Sequence, residues 1–375
     1  GQLGYLASPT WIAAAADDPT LNQQPVGSGP FVFDSRSADS VTRFVRNDEW
    51  WNGSAFLDAI EFVPVTDPDS RADLFFSGEL QALQTTNAGT VEDLRGDDAV
   101  QNIVDETGEE TFAMINSAAP PFDDIRARQA LTFATPRQQY NDLINLGVTR
   151  LADQMFIPES KFYNPDVVQE GDAPDQALPL VEAYCAERGT EENPVLGTPT
   201  CTDGKINIEY QWSGPSVVQT QIADLFNNAW GNAGFNVTFN ELPQDDHIQD
   251  TALGAYNVNL WRQFGAEDPQ SDRHWLMCRN IGVISLNWPQ YCDETRDELI
   301  LQSGATSDEA ERIEIWQQVS ENVNQAYTYI FLNHTLWDNA FAENVLGVCD
   351  RTAPSGEQLL CVTNGRNWFD SIWIN

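Results

Sequence analysis

Residues 206–212, Ile206-Asn207-Ile208-Glu209-Tyr210-Gln211-Trp212, alternate apolar and polar side chains, the period of a half-buried strand. Ser216 to Trp230 follows, with Val218, Ile222, Leu225, Phe226 and Ala229 on one face of a helix. A second strand is expected at Phe235-Asn236-Val237-Thr238-Phe239, a short helix after Pro243, and a third strand from Tyr256 to Trp261. Strand, helix, strand, helix, strand is the pattern of a parallel sheet with crossover helices. The fold class read from this stretch is α/β.

That geometry also says where to look for a ligand. In open α/β sheets ligands lie in the crevice beyond the carboxyl ends of the strands. Trp212-Ser213-Gly214-Pro215 and Trp261-Arg262-Gln263-Phe264 stand at two such ends. Flat aromatic area beside a few orienting polar groups is what a small-molecule site needs. Trp212, Ser213, Trp261, Arg262, Gln263 and Phe264 are therefore the candidate ligand-binding residues. Ser213 to Ser216 also opens a helix, whose free N–H groups suit a carboxylate. Core packing is the competing role for both tryptophans, and a salt bridge the competing role for Arg262.

Outward from this centre the pattern changes. To about residue 115 the chain reads as short strands and turns: Phe31-Val32-Phe33, Val41 to Val45, Ile60 to Val65 and Thr111 to Ile115, with a helix from Ser70 to Ser77. After the centre, Thr306 and Glu309 suggest a capping box for a long helix carrying Ile313, Trp316, Val319, Val323 and Tyr327. Tyr329-Ile330-Phe331-Leu332 leaves it as a strand, and the tail from Trp337 is loop and strand. At 375 residues the chain is long enough for two or three domains of about 150 residues.

Composition excludes several roles. With 57 acidic against 19 basic side chains the formal charge is −38, which repels nucleic acid and anionic membrane surfaces. Lys161 and Lys205 are the only lysines, a balance that suits either a salty habitat or simple solubility. No stretch reaches the roughly 20 apolar residues of a membrane span. The opening Gly1-Gln2-Leu3-Gly4-Tyr5 is not a signal peptide.

The six cysteines fall as sequence-local pairs, Cys185 with Cys201, Cys278 with Cys292 and Cys349 with Cys361. Six cysteines permit 15 connectivities, and the nearest-neighbour set closes three short loops. Such bridges imply an oxidising compartment; free buried thiols in a cytosolic protein are the alternative. None has the C-x-x-C spacing of a zinc site. His247, His274 and His334 share no ligand spacing, so neither a metal nor a cofactor is expected. Asp67, Asp69 and Asp73 mimic the start of a calcium loop but lack its glycine and terminal glutamate; they read as a solvated helix start. No phosphate loop, dinucleotide fingerprint, nucleophile elbow or zinc-protease motif occurs. The sequence offers no catalytic constellation.

Several motifs resemble the family 5 extracellular solute-binding proteins, the oligopeptide-, dipeptide- and nickel-binding kind. Gly27-Ser28-Gly29-Pro30-Phe31 and Arg46-Asn47-Asp48-Glu49-Trp50-Trp51 are similar to the family's G-[ST]-G-P-[YF] and R-N-x-x-[YF]-W segments. Ser77-Gly78-Glu79 looks like its helix end, and Pro120-Pro121-Phe122-Asp123-Asp124-Ile125-Arg126-Ala127-Arg128-Gln129-Ala130-Leu131 is the most specific match. Asp123 or Asp124 would cap that helix. Asn287 to Leu299, Glu311-Arg312 and Val345-Leu346-Gly347-Val348 resemble C-terminal motifs.

The resemblance implies a two-lobed periplasmic-binding-protein-like fold, type II or cluster C, with mixed sheets. Residues 1–115 would form part of lobe I, 116–335 lobe II, and 336–375 a return to lobe I. Trp261 falls on the family's pocket strand. Peptide-binding members place an aspartate shortly after this tryptophan to hold the peptide's amino group. Here Arg262-Gln263-Phe264-Gly265-Ala266 follows, with acids only at Glu267 and Asp268, so the ligand stays open between short peptides, sugars and other polar solutes. Thr135-Pro136-Arg137 replaces the usual A-I-D-R ending. The family also carries a segment ahead of Gly4-Tyr5-Leu6-Ala7-Ser8-Pro9, so the chain is expected to be an N-terminally truncated fragment.

The implied function is the substrate-binding component of an ABC importer, a monomer outside the cytoplasmic membrane, periplasmic or anchored at the cell surface. Its partners would be a small-molecule or short-peptide ligand and the permease subunits, with lobe closure on the ligand and no chemistry. The alternatives are a sensory or regulatory ligand-binding module, which an upstream signalling region would favour, and a hydrolase, which needs a nucleophile and base that the sequence does not supply.

Overall fold

Apolar residues at every second position of 206–212 build the strand expected there, and it lies at the heart of a sheet. The computed structural model describes residues 6–266, 268–353, 355–362 and 365–375. Gly4 and Tyr5 of the family-like opening, and Glu267, lie outside the described residues. Two units result: Glu106–Leu336, and a second made of the chain before it and Trp337–Asn375.

In the unit Glu106–Leu336, five strands matter: β1 (Glu110–Ile115), β2 (Lys205–Ser213), β3 (Phe235–Leu242), β4 (Val258–Gln263) and β5 (Tyr329–His334). The helices named below are α1 (Ile125–Ala134), α2 (Pro174–Arg188), α3 (Val217–Asn232), α4 (Gln244–Leu253), α5 (Glu294–Ala305) and α6 (Glu309–Gln325). The sheet order is β3-β2-β4-β1-β5. β2 runs parallel to β3 and β4, while β1 is antiparallel to β4 and β5. The β2-α3-β3-α4-β4 series is thus the parallel half of a mixed sheet.

One face is apolar throughout. Ile206, Ile208, Tyr210 and Trp212 of β2, Val258 and Leu260 of β4, Ala113 of β1 and Ile330 of β5 meet Ala127 and Leu131 of α1, Tyr184 of α2, and Phe226 and Trp230 of α3. Each large side chain so buried contributes about 1.5–3 kcal/mol. The other face divides. Under β1 and β5, Phe112, Met114, Tyr329 and Phe331 pack on Ile300 of α5 and Trp316 and Val319 of α6. Beneath β2, the alternate residues Asn207 and Gln211 are buried as well, and Asn207 Nδ2 donates to the Pro199 carbonyl at 2.7 Å and to Thr202 Oγ1 at 2.8 Å. β2 is therefore covered on both faces, where alternation suggested one face in water.

Caps fall where short polar side chains stand. Asp124 caps α1, accepting from Arg126 N at 2.9 Å. Asp308, not Thr306, caps α6, accepting from the N–H groups of Ala310 and Glu311 at 2.9 and 3.2 Å. A carboxylate suits the positive helix start better than a hydroxyl, and Thr306 instead ends α5 and donates to Glu311 Oε2 at 2.6 Å.

Among the described residues the other unit holds two three-stranded antiparallel sheets and a two-stranded one, Val345–Leu346 with Trp373–Ile374. One three-stranded sheet is Phe31–Ser37, Val41–Arg46 and Ala59–Phe62; the other is Ala82–Thr85, Trp337–Ala342 and Val100–Asp105. The third strand of the first stops at Phe62, short of Val65, because Pro64 cannot donate to a ladder. Helix Pro68–Phe76 starts on Asp67, which accepts from Ser70 N at 2.8 Å. This unit ends at Asp105 rather than near residue 115, since Glu110–Ile115 is an interior strand of the larger sheet. Likewise the return begins at Trp337 rather than 336. All three cysteine pairs are bridged as expected. Among the described residues no helix is long and apolar enough to cross a membrane.

Candidate functional site

The carboxyl ends of β2 and β4 lie side by side. Tyr210 is paired with Val258 and Gln211 with Asn259, which sets Trp212 level with Leu260 and Ser213 level with Trp261. Because side chains alternate across a strand, this register separates the two tryptophans. Trp212 is 3% exposed and belongs to the apolar face, with Phe239 edge-on at 5.5 Å and Tyr210 at 5.5 Å. Trp261 is half-buried on the opposite face.

Trp261 there joins a cluster that sequence reading missed. Its ring lies 5.0 Å from His247 of α4 and 4.8 Å, edge-on, from Trp288; Trp275 lies 5.1 Å beyond. His247 Nε2 meets Asn259 Oδ1, Asn259 donates to Thr251 Oγ1 at 2.5 Å, and Thr251 donates to the His247 carbonyl at 2.6 Å. Burial lowers the pKa of His247 against the pull of the Asn259 bond, so a neutral imidazole faces Trp261. Gln211, fully buried, has no hydrogen-bond partner on either carboxamide atom, nor has Trp288 Nε1.

Trp288 is held by its own scaffold. The Cys278–Cys292 bridge closes the loop that carries it. Asn287 Nδ2 donates to the carbonyls of Leu276 and Tyr291 at 3.1 and 2.9 Å, and Tyr256 OH donates to the Trp288 carbonyl at 2.8 Å.

The remaining expected residues scatter. Ser213 is half-buried at the end of β2, and Ser216 caps α3 through Gln219 N at 3.3 Å. Arg262 is exposed and Gln263 half-buried. Phe264 turns inward with φ +73° and packs on Phe112, Tyr329 and Phe331. The structure therefore brings Ser213 and Trp261 to one face and places Trp212 and Phe264 in two cores.

The acids bordering β4 are buried. Glu110, paired with Gln263, lies 3.1 Å from His334 Nδ1, both side chains 2% exposed. Burial, then the neighbouring Asp272 and Glu109, pushes Glu110 well above the usual carboxylate range. Burial likewise raises Asp272 to about 7, although its carboxylate accepts from Ala266 N at 3.2 Å. Burial and Arg150 lower His334 to about 4. Among the described residues no group of three His, Cys, Asp or Glu side chains is placed to hold a metal ion.

A signal for the missed residues does exist. Asn257-Val258-Asn259-Leu260 repeats in β4 the amide alternation of β2, so two neighbouring strands turn amides to the same side. The distant Trp275 and Trp288 carry no such mark.

The family model for bacterial extracellular solute-binding proteins, family 5, matches residues 3–280. Among curated proteins, the di/tripeptide-binding protein 2 of Pseudomonas aeruginosa is 24% identical over 332 residues, 87% of this chain and 59% of that protein. Heme-binding protein A of Haemophilus influenzae is 22% identical over 84% of this chain and 56% of its own length. The chain thus spans less than two thirds of the curated relatives it matches. Among solved structures, the periplasmic binding protein DppA from Helicobacter pylori, in complex with the peptide STSA, superposes with a TM-score of 0.81 at 16% identity, covering 98% of this chain and 67% of that one.

Proposed function

Since the chain belongs to the bacterial extracellular solute-binding proteins of family 5, we propose that it captures a small polar solute or short peptide for an ABC importer, without converting it. The permease subunits are its partners, it works as a monomer, and it resides outside the cytoplasmic membrane. The three disulfides support that location, because such bridges persist in oxidising compartments.

The observation that carries the reading is Trp261. It stands half-buried at the carboxyl end of a parallel strand, walled by Trp288 and the neutral His247. Trp261 and Ser213 are the binding residues, with Arg262 and Gln263 beside them at the strand ends; Trp212 and Phe264 brace the strands from the cores. Burial drives the nearby Glu110 and Asp272 towards their protonated forms. These two acids are thus weak counter-charges for a ligand's amino group, which favours neutral or anionic solutes over free peptide amines. A thermal-shift screen over short peptides, sugars and other polar solutes tests this. A true ligand at a hundredfold excess over Kd adds about 2.7 kcal/mol. No shift with any class would reject the reading.

A further inference from the structure

Three Asn-x-Ser/Thr triplets occur in the chain, at Asn52-Gly53-Ser54, Asn236-Val237-Thr238 and Asn333-His334-Thr335. Such a triplet is an acceptor signal for N-linked glycan in an exported protein, provided that a folded chain leaves its amide free. The last two do not. Asn236 Nδ2 donates to the Thr202 carbonyl at 3.3 Å and to Asn207 Oδ1 at 3.0 Å. Asn333 is 4% exposed; its Nδ2 donates to the His334 carbonyl at 2.9 Å and its Oδ1 accepts from Tyr140 OH at 2.9 Å.

Asn52 is different in each respect. It is exposed and sits in a turn closed by Gly53 N donating to the Trp50 carbonyl at 3.3 Å. Gly53 has φ +109°, with open space where a Cβ would point. Ser54, two residues on, is an exposed residue whose hydroxyl donates to the Ala55 carbonyl at 3.4 Å. Immediately before Asn52 come two indoles, Trp50 and Trp51, 6.0 Å apart, and Trp51 is 80% exposed. Its flat apolar face matches the C–H face of a pyranose.

We propose that Asn52 carries an N-linked glycan whose first sugar packs against the Trp50–Trp51 pair. The donor class is an oligosaccharide on a polyprenyl phosphate or pyrophosphate. Asn52 Nδ2 forms the bond to the anomeric carbon, and the carbon–oxygen bond to the lipid phosphate breaks. The phosphate leaves with the electron pair, and one amide proton passes to a base. The modification takes place outside the cytoplasm and so rests on the location proposed above.

Peptide mass spectrometry of the protein isolated from its native source tests the assignment. The Asn52 peptide should carry hexose-bearing mass, and the peptides with Asn236 and Asn333 should carry none. In the same host, Asn52→Gln should remove the added mass entirely, and Trp51→Ala should lower occupancy roughly twofold or more, as loss of a stacked aromatic contact would. Glycan at Asn236 or Asn333 instead, or an unmodified Asn52, overturns the proposal. Thiol titration of the same sample tells the two failures apart. An unmodified Asn52 with all disulfides intact rejects only the glycan, whereas an unmodified Asn52 with free thiols rejects the extracytoplasmic location as well.

Discussion

Trp212 and Trp261, on hydrogen-bonded neighbouring strands, point to opposite faces of one sheet. The first is packed between Tyr210 and Phe239, and the second stands half-buried against His247 and Trp288. Their substitutions should therefore separate stability from binding. Trp212→Ala should cost about 3–5 kcal/mol in chemical denaturation. Trp261→Ala should cost less stability yet weaken a screened ligand roughly tenfold or more, the equivalent of about 1.4 kcal/mol. Equal effects of both on calorimetric affinity would place the site elsewhere.

The bridge between Cys278 and Cys292 closes the loop that presents Trp288. Replacing both cysteines by serine should lower stability by about 3 kcal/mol in the chain-entropy view. It should also weaken ligand binding, because Trp288 loses its anchor beside Trp261. Denaturant titration and calorimetry on the double variant read the two effects separately.

Asp272 and His334 give stability opposing dependences on pH. The Asp272 carboxyl ionises near 3.8 when unfolded and at about 7 when folded. Across that window the folded state holds the extra proton, and stability falls as pH rises. His334 moves from 6.5 unfolded to about 4 folded; there the unfolded state holds the extra proton, and stability rises with pH. Asp272→Asn should remove the first contribution. Relative to the parent, the variant should gain stability between pH 5 and pH 7, with a slope of at most about 1.4 kcal/mol per pH unit. Melting temperatures of both proteins across that range check the sign.

A charge of −38 repels itself across the surface, and salt screens that repulsion within about 10 Å at 0.1 M. The melting temperature should rise steadily as potassium chloride is raised from low to molar concentrations. A flat response would mean that local ion pairs, such as Arg188 with Asp123 and Glu191, already neutralise the field.

Much of this was legible in the residues. The β2-α3-β3-α4-β4 series, the three cysteine pairs and a cap of α1 at Asp123 or Asp124 follow from local chemistry that neighbours in sequence express directly. What covers the polar side of β2 does not. Period-two alternation reads the same whether the polar face meets water or the protein interior, so the polar side of β2, Gln211 included, read as its solvent face. β1 enters the sheet beside β4, and β5 beside β1, each from a position more than a hundred residues away, and no local pattern records such pairing. For the same reason Trp288 reached Trp261 unannounced. Thr306 misled because a hydroxyl at the right spacing was read as the cap, while the carboxylate of Asp308 was the better acceptor.

Asp105 and Trp337 are cross-strand partners within one small sheet, and a few residues further Glu110 and His334 are partners within the larger one. The two cut ends of the smaller body, Asp105 and Trp337, thus lie a strand spacing apart, roughly 4.8 Å. Residues 106–336 have the form of a cassette that a single genetic graft would insert or excise, and the gap left behind would be narrow enough for a tight turn to seal.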